Sequence, residues 1–178
     1  MPKILLLLAD GFEETEAITV VDVLRRAGVS VDMAGLGGNI VTSKNGVRVH
    51  ADTRFMDLDA GLYEGIVLPG GSAAVDTIMA HKTAMDIIDR FAKTGKFIGA
   101  ICLGPKILVK LGALKDKRAT IYPGYEKLLD RPRSDKVVVD GNIMTSQGPG
   151  TAMEFALRIV EQFAGKAAAA KVKQNVVA

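Results

Sequence analysis

The chain has 178 residues, 48% of them hydrophobic and 24% charged, which fits one globular domain over 1–178 and excludes a disordered chain. Its 23 basic and 20 acidic residues leave a formal charge of +3, and the two signs are interspersed along most of the chain, which weighs against a nucleic-acid footprint, because that requires clustering. A single cysteine, Cys102, excludes an intrachain disulfide and leaves a thiol free for chemistry, and two histidines, His50 and His81, exclude a multi-His metal site.

The first apolar run, Ile4–Ala9, follows Lys3 and stops at Asp10. It is shorter than a typical secretory core of ~7 to 15 residues with its cleavage site, so it reads as a buried strand. No stretch approaches the ~20 apolar residues of a membrane span; a soluble, cytoplasmic protein without a membrane partner is expected. Ala17, Val20, Val21, Leu24 and Ala27 then fall at helical spacing, with Gly28 as a stop, and Val29–Ala34 is the next apolar run. This makes a strand–helix–strand unit. Further runs at Gly65–Leu68, Phe97–Ile101 and Ala119–Ile121 continue the series, and near-continuous apolar strands separated by helices indicate a parallel sheet covered on both faces.

Two stretches break the alternation: Asn39 to Asp52, around Gly46, and Val137 to Ser146, where Asp140-Gly141 between β-formers is a hairpin signal. Both are expected as antiparallel additions at the edge of the sheet. Near the C-terminus Ala152, Phe155, Ala156, Ile159, Val160 and Phe163 form a 3.6-residue stripe ending at Gly165, expected to cover the sheet. Ala167–Ala170 with Lys171 and Lys173 reads as a short terminal helix.

In open α/β sheets ligands bind beyond the carboxyl ends of the strands, where strand order reverses. The segments to examine are therefore Asp10–Glu16, Pro69–Ser72, Cys102–Pro105 and Ile121–Pro123. Cys102 follows a strand directly, with Ala100 and Gly104 as small neighbours and a helical pattern from Lys106 to Leu111. That is the arrangement of a nucleophile elbow with Cys in place of Ser, and the start of a helix favours thiolate. Outside such a context a free cysteine is usually a small packed hydrophobe. Gly70 and Gly71 let the backbone approach a ligand, and with the amide after Cys102 they make a candidate oxyanion hole; the same pair also suits an ordinary β-to-α turn. The pair is too short for a dinucleotide fingerprint, and no Gly-Lys-Ser/Thr follows, which disfavours nucleotide cofactors. Glu13, Glu14 and Glu16 suit the positive end of a helix, or one of them points back at Cys102; the residues alone leave the three open.

Together these segments resemble the ThiJ/PfpI family, and most closely its parkinsonism-associated deglycase branch. The resemblance spans about residues 3 to 175 and rests on Glu13-Glu14-Thr15-Glu16 with Val21–Gly28, on Leu68-Pro-Gly-Gly71, on Ala100-Ile-Cys-Leu-Gly-Pro105, and on Thr145–Thr151 with Glu154–Leu157. It implies a flavodoxin-like three-layer sandwich: a mainly parallel sheet, helices on both faces and antiparallel hairpin additions, usually as a homodimer. It also implies Cys102 as nucleophile and selects Glu16 as the acid against it. Backbone N–H groups of Gly71 and Leu103 would form the oxyanion hole; from the residues themselves, the Gly70 backbone can approach the substrate, and Tyr122 either donates a hydrogen bond to a substrate oxygen or is a packed aromatic before a proline turn. Arg26 matches an arginine that reaches the partner's active-site mouth. No metal or organic cofactor is implied. The chain departs from the family pattern twice. Leu103 stands where peptidase-like members have histidine, and Tyr122 stands where the deglycase has one; a phenol with a pKa of ~10 cannot readily accept a proton at neutral pH. The leading expectation is thus an enzyme of small α-oxoaldehydes or their glycated adducts (a glutathione-independent glyoxalase or deglycase). A redox-sensing or chaperone-like stress protein built on Cys102 oxidation is the alternative, and a peptidase ranks third.

Overall fold

The computed structural model describes residues 2–178. The first strand, β1 (Lys3–Leu8), is buried along almost its whole length, as its unbroken leucine run requires. Helix α1 (Glu14–Arg26) buries Ala17, Val20, Val21, Val23 and Leu24, carries Glu14 and Glu16 in its first turn and Arg25 and Arg26 in its last, and is followed by Gly28 at φ 77°. Both charge placements complement the helix dipole. Strand β2 (Ser30–Gly35) returns parallel to β1, with Ile4 opposite Val31 and Leu8 opposite Gly35.

On the other side of β1 lie β6 (Gly65–Leu68) and then β7 (Phe97–Ile101), both parallel to it. Two helices, α2 (Ser72–Ala80) and α3 (Lys82–Lys93), fill the connection between them. The chain therefore winds outward from the centre in both directions, and right-handed crossovers place α1 on one face and α2 with α3 on the other. Strand order reverses between β1 and β6, so the loops after β1, β6 and β7 converge at one end of the sheet. This is the flavodoxin-like three-layer sandwich, built around one connected apolar cluster from Ile4 to Val172.

The C-terminal hairpin lies as the Asp140-Gly141 signal predicts. Strands β10 (Val137–Asp140) and β11 (Ile143–Ser146) are antiparallel, β11 pairs parallel with β7, and β10 forms the sheet edge. The other expected addition is corrected. Strands β3 (Ile40–Thr42) and β4 (Arg48–His50) are antiparallel but make their own two-stranded sheet, while the main sheet ends on the short parallel strand β5 (Thr53–Arg54). The hairpin spends its backbone groups on the loop after β1: Gly11 N–H donates to Thr42 O, Thr42 N–H to Asp10 Oδ1 and Lys44 N–H to Phe12 O, each at 2.8 Å.

The run Ala119–Ile121 is corrected as well. Only β8 (Arg118–Ala119) is extended, paired with β9 (Arg131–Pro132) in a separate two-stranded sheet that packs beside the C-terminal hairpin strands. Beside β7 the place is taken by β11, and the run hangs instead on single bonds, Thr120 N–H to Thr145 Oγ1 at 2.9 Å and Tyr122 N–H to Cys102 O at 3.0 Å. After α4 (Pro105–Lys110) and these loops, α5 (Ala152–Asn175) packs on α1. Gly165, at φ 85° and ψ 165°, interrupts α5 where the apolar stripe ends, and a second helical piece runs to Asn175. Among the described residues no helix is long and apolar enough to cross a membrane.

Candidate active site

Cys102 adopts φ 62°, the left-handed region, immediately after β7. For a residue with a Cβ this costs about 1 to 2 kcal/mol, so the surroundings must impose it. They do so from both sides: Cys102 N–H donates to Ser146 O and Cys102 O accepts from Tyr122 N–H, each at 3.0 Å. The turn is tight enough that a Cβ on Gly104 would stand 2.4 Å from Leu68 O, which explains the small residue two positions after the cysteine.

Glu16 comes from the first turn of α1 and is fully buried. Its Oε2 accepts a 2.6 Å hydrogen bond from Gly70 N–H, while Oε1 is buried without a partner. Gly70 is the spacer between acid and thiol. A Cβ there would lie 2.6 Å from Cys102 Cβ, 2.8 Å from Glu16 Oε2 and 2.9 Å from Cys102 Sγ, so any side chain would push the pair apart. Gly71, at φ 96°, bends the backbone so that a Cβ would stand 2.1 Å from Gly11 O.

Burial pushes the Glu16 carboxyl up to about 7, against the hydrogen bonds from Gly70 and Cys102, which lower it. For the Cys102 thiol, burial and then the Glu16 charge raise the value to about 12; the N–H groups of Leu103 and Gly71 act in the opposite direction. This corrects the expectation that the helix start leaves a ready thiolate. Desolvation and a neighbouring carboxylate outweigh two amide dipoles, and α4 is only six residues long. The thiol can lose its proton easily only when Glu16 holds one, so the two groups behave as a pair.

The three acids diverge. Glu16 lies against the thiol. Glu13 is mostly buried and lines the cleft, with Oε2 3.9 Å from Lys44 Nζ. Glu14 leans toward Ser43 and Asn45, and the hydrogen bond of its own backbone leads the causes that lower its pKa.

A cleft of about 220 Å³ opens over Cys102, lined also by Gly71, Ser72, Leu103, Tyr122, Tyr125 and Pro149 together with Glu13 and Lys44. Tyr122 thus stands where the chain order placed it, half exposed. Ser72 closes the segment Pro69–Ser72 and Pro149 lies in the stretch Thr145–Thr151 that carries the resemblance, whereas Lys44 and Tyr125 were not foreseen; Lys44 arrives on the separate β3–β4 hairpin, which no local pattern would aim at Cys102. Arg26 does not line the cleft of its own chain, and its guanidinium pairs with Asp22 at 2.9 Å on the exposed face of α1. His50 approaches Ala51 O, and His81 accepts from Ala84 N–H at the start of α3, so neither histidine lines the cleft. Among the described residues no group of three or more His, Cys, Asp or Glu could hold a metal ion.

Comparison with known proteins bears on the family and the fold. The DJ-1/PfpI family profile matches residues 2–162. Drosophila melanogaster protein dj-1beta is 39% identical over 178 residues, covering 97% of this chain and 95% of that protein. Arabidopsis thaliana protein DJ-1 homolog B is 40% identical over 169 residues, 93% of this chain, although the chain spans only 39% of that longer protein. A Pyrococcus abyssi protein named a deglycase is 34% identical over 152 residues, 83% of this chain and 91% of its own. Among solved structures, oxidized Toxoplasma gondii DJ-1 superposes with a TM-score of 0.95 at 31% identity, covering 99% of this chain and 98% of that one.

Proposed function

The chain belongs to the DJ-1/PfpI family, and from that premise we propose that it is a cysteine-dependent enzyme of α-oxoaldehydes or their glycated adducts, protecting against carbonyl stress. The observation that carries this reading is the pairing of a left-handed cysteine with a fully buried carboxyl that has one free oxygen, across a glycine that admits no side chain. The Cys102 proton passes to Glu16 as the sulfur adds to the aldehyde carbon; the C=O electron pair moves to oxygen, which takes a proton to give a hemithioacetal. Gly71 and Leu103 N–H groups stabilise the developing oxyanion. Glu16 then moves the proton from the former aldehyde carbon to the adjacent carbonyl carbon, by way of an enediol, leaving a thioester of a 2-hydroxy acid. Water cleaves the thioester and restores the thiol. The step is an internal redox exchange between two carbons and requires no external oxidant. A carboxyl with a value of about 7 suits it, since near neutral pH the group can both accept and return a proton. In the deglycase form the sulfur replaces the amine or thiol at the carbinol carbon of the adduct: the S–C bond forms as the C–N or C–S bond breaks, the leaving group takes the proton that Glu16 received from Cys102, and the same hemithioacetal results. The reading requires no metal or organic cofactor.

The proposal extends to a single domain over 1–178 that works as a cytoplasmic homodimer, with Arg26, exposed on α1, offered to the partner's cleft. Its test is methylglyoxal loss by purified protein: wild type should produce lactate, and Cys102→Ala should produce none. Retained turnover in that variant would sink the reading.

One observation favours a second role. Two amide N–H groups and a carboxyl surround the sulfur, a setting that would also hold the oxygens of a sulfinate. Intact mass after mild peroxide separates this stress-sensing role from turnover: a gain of two oxygens, absent in Cys102→Ser, supports it. Peptidase activity ranks last, because Leu103 supplies no base next to the thiol.

A further inference from the structure

The cleft has one wall that the chemistry at sulfur does not use. Tyr122 and Tyr125, each about two-fifths exposed, line it together, with ring centroids 6.5 Å apart at an interplanar angle of 64°. Large aromatic side chains left this open to solvent on a concave surface have apolar area to offer a ligand. Their position is fixed relative to the reacting atom. Tyr122 N–H donates to Cys102 O at 3.0 Å and Tyr125 N–H to Tyr122 O at 3.2 Å, so the wall is tied by backbone to the elbow itself. Gly148 lies beneath the first ring, where a Cβ would stand 3.3 Å from Tyr122 Cδ2, so the ring rests directly on backbone. Pro149 continues the same apolar surface.

We propose that Tyr122 and Tyr125 are specificity-determining residues which make this site prefer carbonyl compounds bearing a flat aromatic substituent over the three-carbon aldehyde. The inference rests on the reading of Cys102 as the nucleophile. A cleft of about 220 Å³ is smaller than the ~300 to 1,000 Å³ that suits drug-sized ligands, yet larger than a three-carbon aldehyde fills. An arylglyoxal whose aldehyde carbon sits at Sγ carries its ring along this wall, where it meets one tyrosine face and the edge of the other. Aromatic pairs of that kind add binding beyond area burial, so a preference of about ten-fold is expected.

The test has two arms. In the first, kcat/KM is measured for phenylglyoxal, cyclohexylglyoxal and methylglyoxal in wild type, Tyr125→Leu and Tyr122→Leu. The ratio of phenylglyoxal to methylglyoxal should fall about three-fold in each variant, each ring carrying about half of the ten-fold effect on a logarithmic scale, and the ratio of phenylglyoxal to cyclohexylglyoxal should fall with it. An unchanged ratio in both variants overturns the proposal. The second arm needs no turnover. N-phenyliodoacetamide and iodoacetamide both alkylate Cys102 by forming an S–C bond with loss of iodide. Their rate ratio on the wild-type protein should exceed that on glutathione about ten-fold, and should return to the glutathione value in the double variant. Equal ratios on protein and glutathione contradict the aromatic wall. Loss of all Cys102-dependent glyoxal turnover, with the alkylation preference intact, would instead count against the proposed function and leave the wall standing.

Discussion

The two ends of the sheet each hold a buried or half-buried carboxylate, and they treat it in opposite ways. At the amino end Asp32 on β2 takes a 2.7 Å ion pair from Lys3 and a 2.8 Å hydrogen bond from the Tyr63 hydroxyl. Burial alone would raise its pKa, but these partners together hold it below the ordinary value. Nearby, Asp52 is satisfied by the Arg25 guanidinium at 2.7 Å and Met33 N–H at 2.8 Å. At the carboxyl end Glu16 is more deeply buried, has a single backbone donor and an orphaned oxygen, and faces a thiol with no cation in contact. A fold that can fully pair a carboxylate at one end leaves one unpaired at the other. The difference supports the role proposed for Glu16, since buried groups left incompletely satisfied beside a cleft are where pKa values move toward neutrality.

The largest effect should come from Glu16 itself. Glu16→Leu removes both the proton carrier and the acceptor of Gly70 N–H, and Glu16→Gln removes the carrier only; each should lower methylglyoxal turnover by about 10² to 10⁴-fold. Equal turnover in wild type and Glu16→Leu would reduce the acid to a packing residue. Gly70→Ala tests the spacing next. Its methyl group would meet Sγ and Oε2 at under 3 Å, so turnover should fall at least ten-fold while the protein still folds, as followed by circular dichroism.

Stability against pH separates the two ends by sign. The folded value of Glu16, about 7, lies above its ordinary 4.5, so its contribution is fully present below pH 4.5 and is lost as pH rises through 7. The loss is roughly 3 kcal/mol at most. Asp32 is lowered from 3.8, so its contribution is present above that pH and disappears as pH falls further. Urea titrations at pH 5 and pH 8 should therefore show wild type losing stability relative to Glu16→Gln as pH rises, whereas Asp32→Asn should show no such difference between those two pH values. Asp32→Asn should also cost about 1 kcal/mol, because its ion pair is partly exposed, and leave turnover within two-fold. Smallest of all is the surface pair Lys82–Asp86 on α3, at 2.6 Å with both groups well exposed. Lys82→Ala should shift stability by no more than ~0.5 kcal/mol.

The frame around the Glu16 end of this contrast is legible in the sequence, whereas the pairing of Asp32 is not. Ile4–Ala9, Val29–Ala34, Gly65–Leu68 and Phe97–Ile101 announce central parallel strands because each is apolar on both faces, and the small residues around Cys102 announce the elbow. Glu16 could not be told from Glu13 and Glu14 by residue type, since all three suit a helix start; only the resemblance singled it out, and the fold then set it against the thiol. What the chain concealed depends on tertiary pairing. Ala119–Ile121 is apolar enough for a strand, but its Thr120 amide is taken by the Thr145 side chain, and the next residue, Tyr122, gives its N–H to Cys102 O. The hairpin around Gly46 looks like an edge addition until the loop after β1 claims its backbone groups, and that docking is what carries Lys44 to the cleft. The raised thiol pKa was hidden for the same reason, because the start of a helix is visible in sequence and the desolvation of its neighbour is not.

The central claim is that Cys102 and Glu16 share their protons, and the pH profile of Cys102 alkylation by iodoacetamide tests it most directly. With values of about 7 and about 12, the pair sheds one proton near neutrality, and the remaining proton is divided between oxygen and sulfur over the range between. The alkylation rate of wild type should therefore rise through about pH 7 and then stay flat to beyond pH 9, while Glu16→Gln and Glu16→Leu should show no inflection near pH 7. A single inflection at an ordinary thiol value, the same in all three proteins, would contradict the pairing.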